Sequence, residues 1–289
     1  MTESAAERPG LKFAVFTASL PEWTPEEAVS KLAEQGWDGI EWRVVDQKPS
    51  PNVGFWAGNR CTWPLSTFEQ DVPRIKEITE AAGLGMPSIG GYAASDQLDD
   101  VERLMRGAAA LGVPQMRVPV GRPGPEGYRA AFAQRRREYE KVAELSARYG
   151  VRALIELHHQ SLISSASAAA RFVEGFDPAH VGVIHDIGNM LQEGYEYDLW
   201  SLEILGEHLA HVHVKNAVPV AKPADDGSRT DWHWEWAPMR HGVGNLPRLF
   251  KALKEFGYSG WVSVEDFSTQ VPLEERVRDN LAYLRELAA

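Results

Sequence analysis

The chain has 289 residues, 44% hydrophobic and 25% charged, a composition suited to one large globular domain that needs no disulfide staples. Its formal net charge of −11 argues against nucleic acid or an anionic membrane as a partner and leaves a neutral small molecule as the natural substrate. No run of about 20 apolar residues exists, which excludes a membrane-spanning helix. Cys61 is the only cysteine, so an intramolecular disulfide is impossible and a reducing compartment is expected. Residues 1–10 (MTESAAERPG) lack the apolar centre of a secretory leader and read as a loose N-terminal arm, so a cytoplasmic location is expected.

From residue 11 onward, short apolar runs alternate with amphipathic stretches. Residues 11–16 (LKFAVF) predict a strand. Thr24, Pro25 and Glu27 then form a capping box with proline at the first helical position, and the helix stops at Gly36. Residues 39–44 (GIEWRV) predict the second strand. A helix over 67–82 ends at Gly83, and 84–89 reads as the third strand. A helix over 95–111 leads to a fourth strand at 115–120, followed by a long helix over 126–149. The fifth strand is 151–157 (VRALIEL), with a helix at 164–173. The sixth is 181–186 (VGVIHD), with a helix from Asp198 to about 205, and the seventh is 210–214 (AHVHV). A long loop, 217–243, separates it from a helix at 245–256. The eighth strand, 260–265 (GWVSVE), and a helix over 274–287 complete the chain.

Eight strand–helix units in 289 residues predict a single-domain (β/α)₈ TIM barrel spanning 11–289. An open doubly wound sheet is the competitor, but no G-x-G-x-x-G follows any strand. In a barrel, the loops after strands build the active face. Two such loops, 46–66 and 217–243, carry clustered aromatics.

The last four predicted strands close on Glu156, Asp186, His213 and Glu265, spaced by 30, 27 and 52 residues. Neighbouring barrel strands would aim these side chains at one spot. Three carboxylates there repel one another unless a positive charge sits between them. One divalent cation supplies it. Oxygen donors with a single imidazole suit Mn²⁺ first, with Mg²⁺, Co²⁺ and Zn²⁺ as alternatives.

These segments carry a resemblance. Glu156, VGVIHDIGN, HVHVKN, GVGN and GYSGWVSVE resemble the xylose isomerase-like barrel superfamily of sugar isomerases, epimerases and inosose dehydratases. The resemblance places the family's four metal ligands on Glu156, Asp186, His213 and Glu265. From its ketose 3-epimerases it implies that Glu156 and Glu265 also move the proton at the substrate's carbinol carbon. Those epimerases have a histidine where this chain has Asn189, and a substrate-binding glutamate and arginine where it has Leu162 and Pro219. The departures set it apart from a free-ketose epimerase. The resemblance is also compatible with a homo-oligomer.

Around the predicted centre, His158 shares the parity of Glu156 and Lys215 that of His213. His158 reads either as a general base or as a loop histidine held by hydrogen bonds. Lys215 polarises a substrate oxygen or pairs with a carboxylate. His185 and His211 are expected to face the helices. Glu41 and Arg43 form a substrate-binding pair or an internal salt bridge, and the site reading is favoured for Glu41. Asn189 and His241 are further substrate-binding candidates, and Trp56, Trp63 and Trp234 are candidate substrate walls.

The expected function is a metal-dependent isomerase or epimerase of a sugar or cyclic polyol, working by proton abstraction beside a carbonyl through a metal-stabilised enediolate. The alternative is a lyase or dehydratase that uses the same first step and then eliminates a β-substituent. A non-catalytic partner subunit is the third reading.

Overall fold

In the computed structural model, residues 10–289 are described, so the N-terminal arm read over 1–10 lies, apart from Gly10, outside the described residues. Eleven strands are present among them: β1 (Lys12–Phe16), β2 (Gly39–Val44), β3 (Thr62–Trp63), β4 (Ile89–Gly91), β5 (Gln115–Arg117), β6 (Arg152–Glu156), β7 (Val181–Asp186), β8 (Leu209–Val214), β9 (Asn216–Pro223), β10 (Thr230–Ala237) and β11 (Trp261–Val264). Eight of these run parallel in the order β1-β2-β4-β5-β6-β7-β8-β11. The β11–β1 pairing closes them into a barrel. Such a barrel has no free edge, and each strand is buried on both faces, which is why its strands read as continuous apolar runs.

The main outer helices are α1 (Pro25–Gln35), α2 (Phe68–Ala81), α3 (Leu98–Leu111) and α4 (Tyr128–Tyr149), then α5 (Ala166–Val173), α6 (Ile187–Gln192), α7 (Asp198–Leu205), α8 (Leu246–Phe256) and α9 (Leu273–Ala288). The capping box of α1 forms as expected. Glu27 N donates to Thr24 Oγ1, and Thr24 N donates to Glu27 Oε2 at 2.7 Å. Among the described residues, no helix is long and apolar enough to cross a membrane.

Three expectations are corrected. The third barrel strand lies at Ile89–Gly91 rather than 84–89. Its register demands a glycine, because a Cβ on Gly90 would stand 2.0 Å from the Phe16 ring. The segment 217–243 is no plain loop but largely an antiparallel hairpin of β9 and β10, with Trp236 opposite Ala217 and Trp232 opposite Ala221. Finally, α6 follows β7 directly, with Asp186 as its N-cap.

The hairpin is clamped at its root. Asn216 Nδ2 donates to Met239 O and Gly244 O at 2.9 and 3.1 Å, while Oδ1 accepts from Ala217 N and Gly244 N at 3.0 and 2.8 Å. One amide thereby joins the HVHVKN and GVGN segments, which lie far apart in sequence.

Candidate metal centre and cleft

Four strand ends meet at the C-terminal mouth of the barrel. Glu156 ends β6 and Asp186 ends β7, His213 lies in β8, and Glu265 follows β11, its N–H donating to Val214 O at 3.0 Å. All four are buried, and one donor atom from each lies within 4.8 Å of the others. His213 Nδ1 is 3.3 Å from Glu156 Oε1, 3.3 Å from Glu265 Oε1 and 3.9 Å from Asp186 Oδ2. Two ligands held about 2.1 Å from one ion at about 105° stand about 3.3 Å apart, so the set fits a single divalent cation. Carboxylate and imidazole donors also match such an ion chemically.

The centre holds side-chain cations that the repulsion argument did not include. Arg117 Nη1 pairs with Glu156 Oε2 at 2.7 Å, and its Nε donates to Gly91 O at 3.0 Å. The Lys215 ammonium bridges Asp186 and Glu265. Its stem packs on Gly188, where a Cβ would lie 2.1 Å from Lys215 Cγ. Glu41, Glu156, Asp186 and Glu265 thus contact only two permanent cations among the described residues, Arg117 and Lys215. A divalent ion would balance that charge.

The electrostatics follow from burial set against these pairs. Burial would raise the Glu156 carboxyl, but Arg117, His213 and Lys215 hold it well below the usual range. Burial pushes Asp186 up to about 7, with Lys215 opposing and Glu265 and Glu156 reinforcing. Burial works against a charged His213, yet Glu41, Glu265 and Glu156 raise it well above the ordinary histidine value.

Above the centre opens a cleft of about 460 Å³. Glu156, Glu265, Lys215 and Asn189 line its floor. Trp56, Tyr92, Trp236 and Phe267 form aromatic walls, and Trp56 and Phe267 pack at 4.8 Å. His158 and His159 form another wall, their rings stacked at 4.5 Å. His158 Nδ1 lies 2.7 Å from His159 O. A carbonyl only accepts, so Nδ1 carries a proton, and in a neutral ring the lone pair is on Nε2. By the same logic Asn189 Oδ1 accepts from His159 Nδ1 at 3.1 Å, while Asn189 Nδ2 donates to Asp186 Oδ2 at 3.0 Å and Leu157 O at 3.1 Å. Burial and the neighbouring His158 push His159 down to about 4.

Other expected site residues lie elsewhere. Trp63, read as a substrate wall, is buried in the core edge-on to Trp42 at 5.8 Å. Trp234 is half-buried on β10 outside the cleft lining, two residues along the strand from Trp236. His241 is exposed in the turn after β10 and also lies outside the lining. Glu41 lies beneath the candidate metal centre, fully buried, 3.1 Å from the Nε2 atoms of both His211 and His213. Arg43 does not pair with it. Its guanidinium donates to Phe55 O at 2.9 Å and Thr62 Oγ1 at 3.2 Å, tying down the loop that carries Trp56.

His185 faces the helices as expected, bonding Ser201 Oγ on α7 at 2.8 Å. His211 does not. It shares the parity of His213, so it points into the barrel, where its Nε2 also lies 2.9 Å from Ser263 Oγ. The sequence reading missed Tyr92, Trp236 and Phe267. Phe267 shares the parity of Glu265, and Trp236 is the alternating tryptophan nearest the barrel end of the hairpin.

A profile of xylose isomerase-like TIM barrel proteins matches residues 29–287. The chain belongs to the xylose isomerase-like TIM barrel family. Among family relatives, it is 29% identical over 255 residues to an inosose isomerase of Halalkalibacterium halodurans, covering 85% of this chain and 84% of that protein. It superposes on the apo structure of a 3-keto-D-glucoside 4-epimerase from E. coli with a TM-score of 0.73 at 18% identity, covering 96% of this chain and 99% of that one. The IOLI protein, solved with a bound zinc atom, gives 0.71 at 16% identity, covering 96% and 98%. At these identities the two structures establish the shared fold.

Proposed function

We propose that the chain is a divalent-metal-dependent isomerase or epimerase of a sugar or cyclic polyol ketone. The observation that carries this reading is the placement of Glu156 and Glu265. Both line the cleft floor, both lie 3.3 Å from His213 Nδ1, and they come from strands on either side of the Asp186–His213 pair. A divalent ion held by Glu156, Asp186, His213 and Glu265 supplies Lewis acidity that lowers the pKa of a C–H beside a substrate carbonyl.

The side chains divide the remaining work. Arg117 keeps Glu156 ionised and aimed, so this carboxylate accepts the carbon-bound proton. Glu265, ionised beside Lys215, first takes a proton from solvent or a substrate hydroxyl and then returns it to the flattened carbon from its own side. His158, with its Nε2 lone pair, serves a substrate hydroxyl at the rim. Trp56, Trp236 and Phe267 cover the apolar C–H face of the ring and exclude water. Similarity to an inosose isomerase over 85% of the chain supports a keto-inositol or related keto-polyol as substrate.

The test is incubation of the metal-loaded protein with a keto-inositol and ketohexose panel in D₂O. Deuterium in the recovered ketone is expected, lost in Glu156→Gln and Glu265→Gln. A new conjugated-enone absorbance would move the reaction to the lyase class. Full exchange activity in either variant would refute the assigned proton carriers.

A further inference from the structure

Glu41 is a carboxylate sealed in the barrel interior at 0% exposure, on β2, nearly opposite His213 of β8 across the barrel. Burying a charge there is costly unless its partners repay it. Its Oε2 accepts from His213 Nε2 and lies equally close, 3.1 Å, to His211 Nε2. Ser263 Oγ, 2.9 Å from His211 Nε2, completes the cluster. The other oxygen, Oε1, has no hydrogen-bond partner among the described residues. The carboxylate is therefore held by one oxygen, from one direction, by histidines alone.

We propose that Glu41 is a positioning residue for the metal centre, fixing His213 as the Nε2–H tautomer so that Nδ1 presents its lone pair to the ion. The inference rests on the metal-dependent reading above. An ionised carboxylate only accepts, so the nitrogen facing Glu41 carries a proton. The opposite nitrogen, Nδ1, faces three carboxylate oxygens at 3.3, 3.3 and 3.9 Å, where a cation would take the place of a proton. With Nε2–H held by Glu41, Nδ1 is the nitrogen that can exchange its proton for a cation lying among those oxygens. Phe16, stacked on the His213 ring at 6.0 Å, limits its rotation. Glu41→Gln keeps the shape but loses the charge. If the amide turns its NH₂ toward His213, the proton moves to Nδ1 and blocks coordination.

Metal-free wild type, Glu41→Gln and His213→Ala are titrated calorimetrically with Zn²⁺, and the melting temperature of each metal-free protein is recorded. The expected result is about 10- to 100-fold weaker Zn²⁺ binding in Glu41→Gln with a folded metal-free protein, and loss of binding in His213→Ala. Wild-type affinity in Glu41→Gln overturns this inference alone. A wild type that binds no Zn²⁺ overturns the metal-dependent reading itself. Should Glu41→Gln fail to fold, wild type loaded with ¹¹³Cd²⁺ and ¹⁵N-histidine decides. Cadmium coupling at His213 Nδ1 with an exchange-protected Nε2–H is expected, and coupling at Nε2 overturns the proposal.

Discussion

Replacing Lys215 with methionine keeps the aliphatic stem against Gly188 and removes the ammonium that joins Asp186 to Glu265. Both carboxylates are buried, so they are left without their nearest positive charge. Breaking a buried pair in this way costs about 3–5 kcal/mol. For 289 residues the unfolding entropy near the transition is about 0.6 kcal/mol/K, so the metal-free variant should melt about 5–8 °C below wild type. The pH dependence has a definite sign. Without Lys215, the folded-state pKa values of Asp186 and Glu265 rise above their unfolded values, and such groups lose stability as pH rises through the folded pKa. Burial already places Asp186 near 7 with the lysine present, so the gap between variant and wild type should widen from pH 6 to pH 8.5. The assay is calorimetric unfolding in chelator at several pH values, repeated with excess Mg²⁺ or Zn²⁺. Added metal should raise the melting temperature of the variant more than that of wild type, because the ion replaces the missing charge. Equal melting temperatures in chelator, within about 1 °C at every pH, would refute the reasoning, since normal scatter for a surface change is that small.

Two tryptophans from one loop should behave oppositely. Trp63→Ala empties a core position and should destabilise the fold by about 3–5 kcal/mol in denaturant titrations, whereas Trp56→Ala, at a position 54% exposed, should leave stability nearly unchanged and weaken substrate binding. Cys61 is fully buried and its thiol is pushed upward by that burial, so a disulfide-exchange reagent should label it only after unfolding. Rapid labelling of the native protein would contradict that placement.

How legible the site was in the sequence depended on local chemistry. The run VGVIHD gave β7 to the residue, because a strand buried on both faces is apolar almost throughout. The strand IGG at 89–91 was hidden by its own glycines, which resemble a turn but make room for the Phe16 ring. Hairpin strands carrying Pro219 and Pro223, and exposed along most of their length, have no core to impose alternation, so they read as a loop. α6 carried no separate start signal because its N-cap, Asp186, is itself a candidate ligand, with Oδ1 accepting from Asn189 N at 2.9 Å. The four strand-end residues were legible because each closes an apolar run. Their counter-charges are Arg117 at the end of β5 and Lys215 between β8 and β9, and only the folded barrel shows which carboxylate each one meets.

The clamp made by Asn216 gives the hairpin a further property. Both ends of the 216–244 segment are tied to one side chain, so its outer turn lies well away from β8 and His213. The segment behaves as a cassette. Trimming or extending its outer turn should leave the fold and the cleft wall intact, since the clamp and Trp236 lie at its base; a large drop in melting temperature on shortening the turn would contradict this.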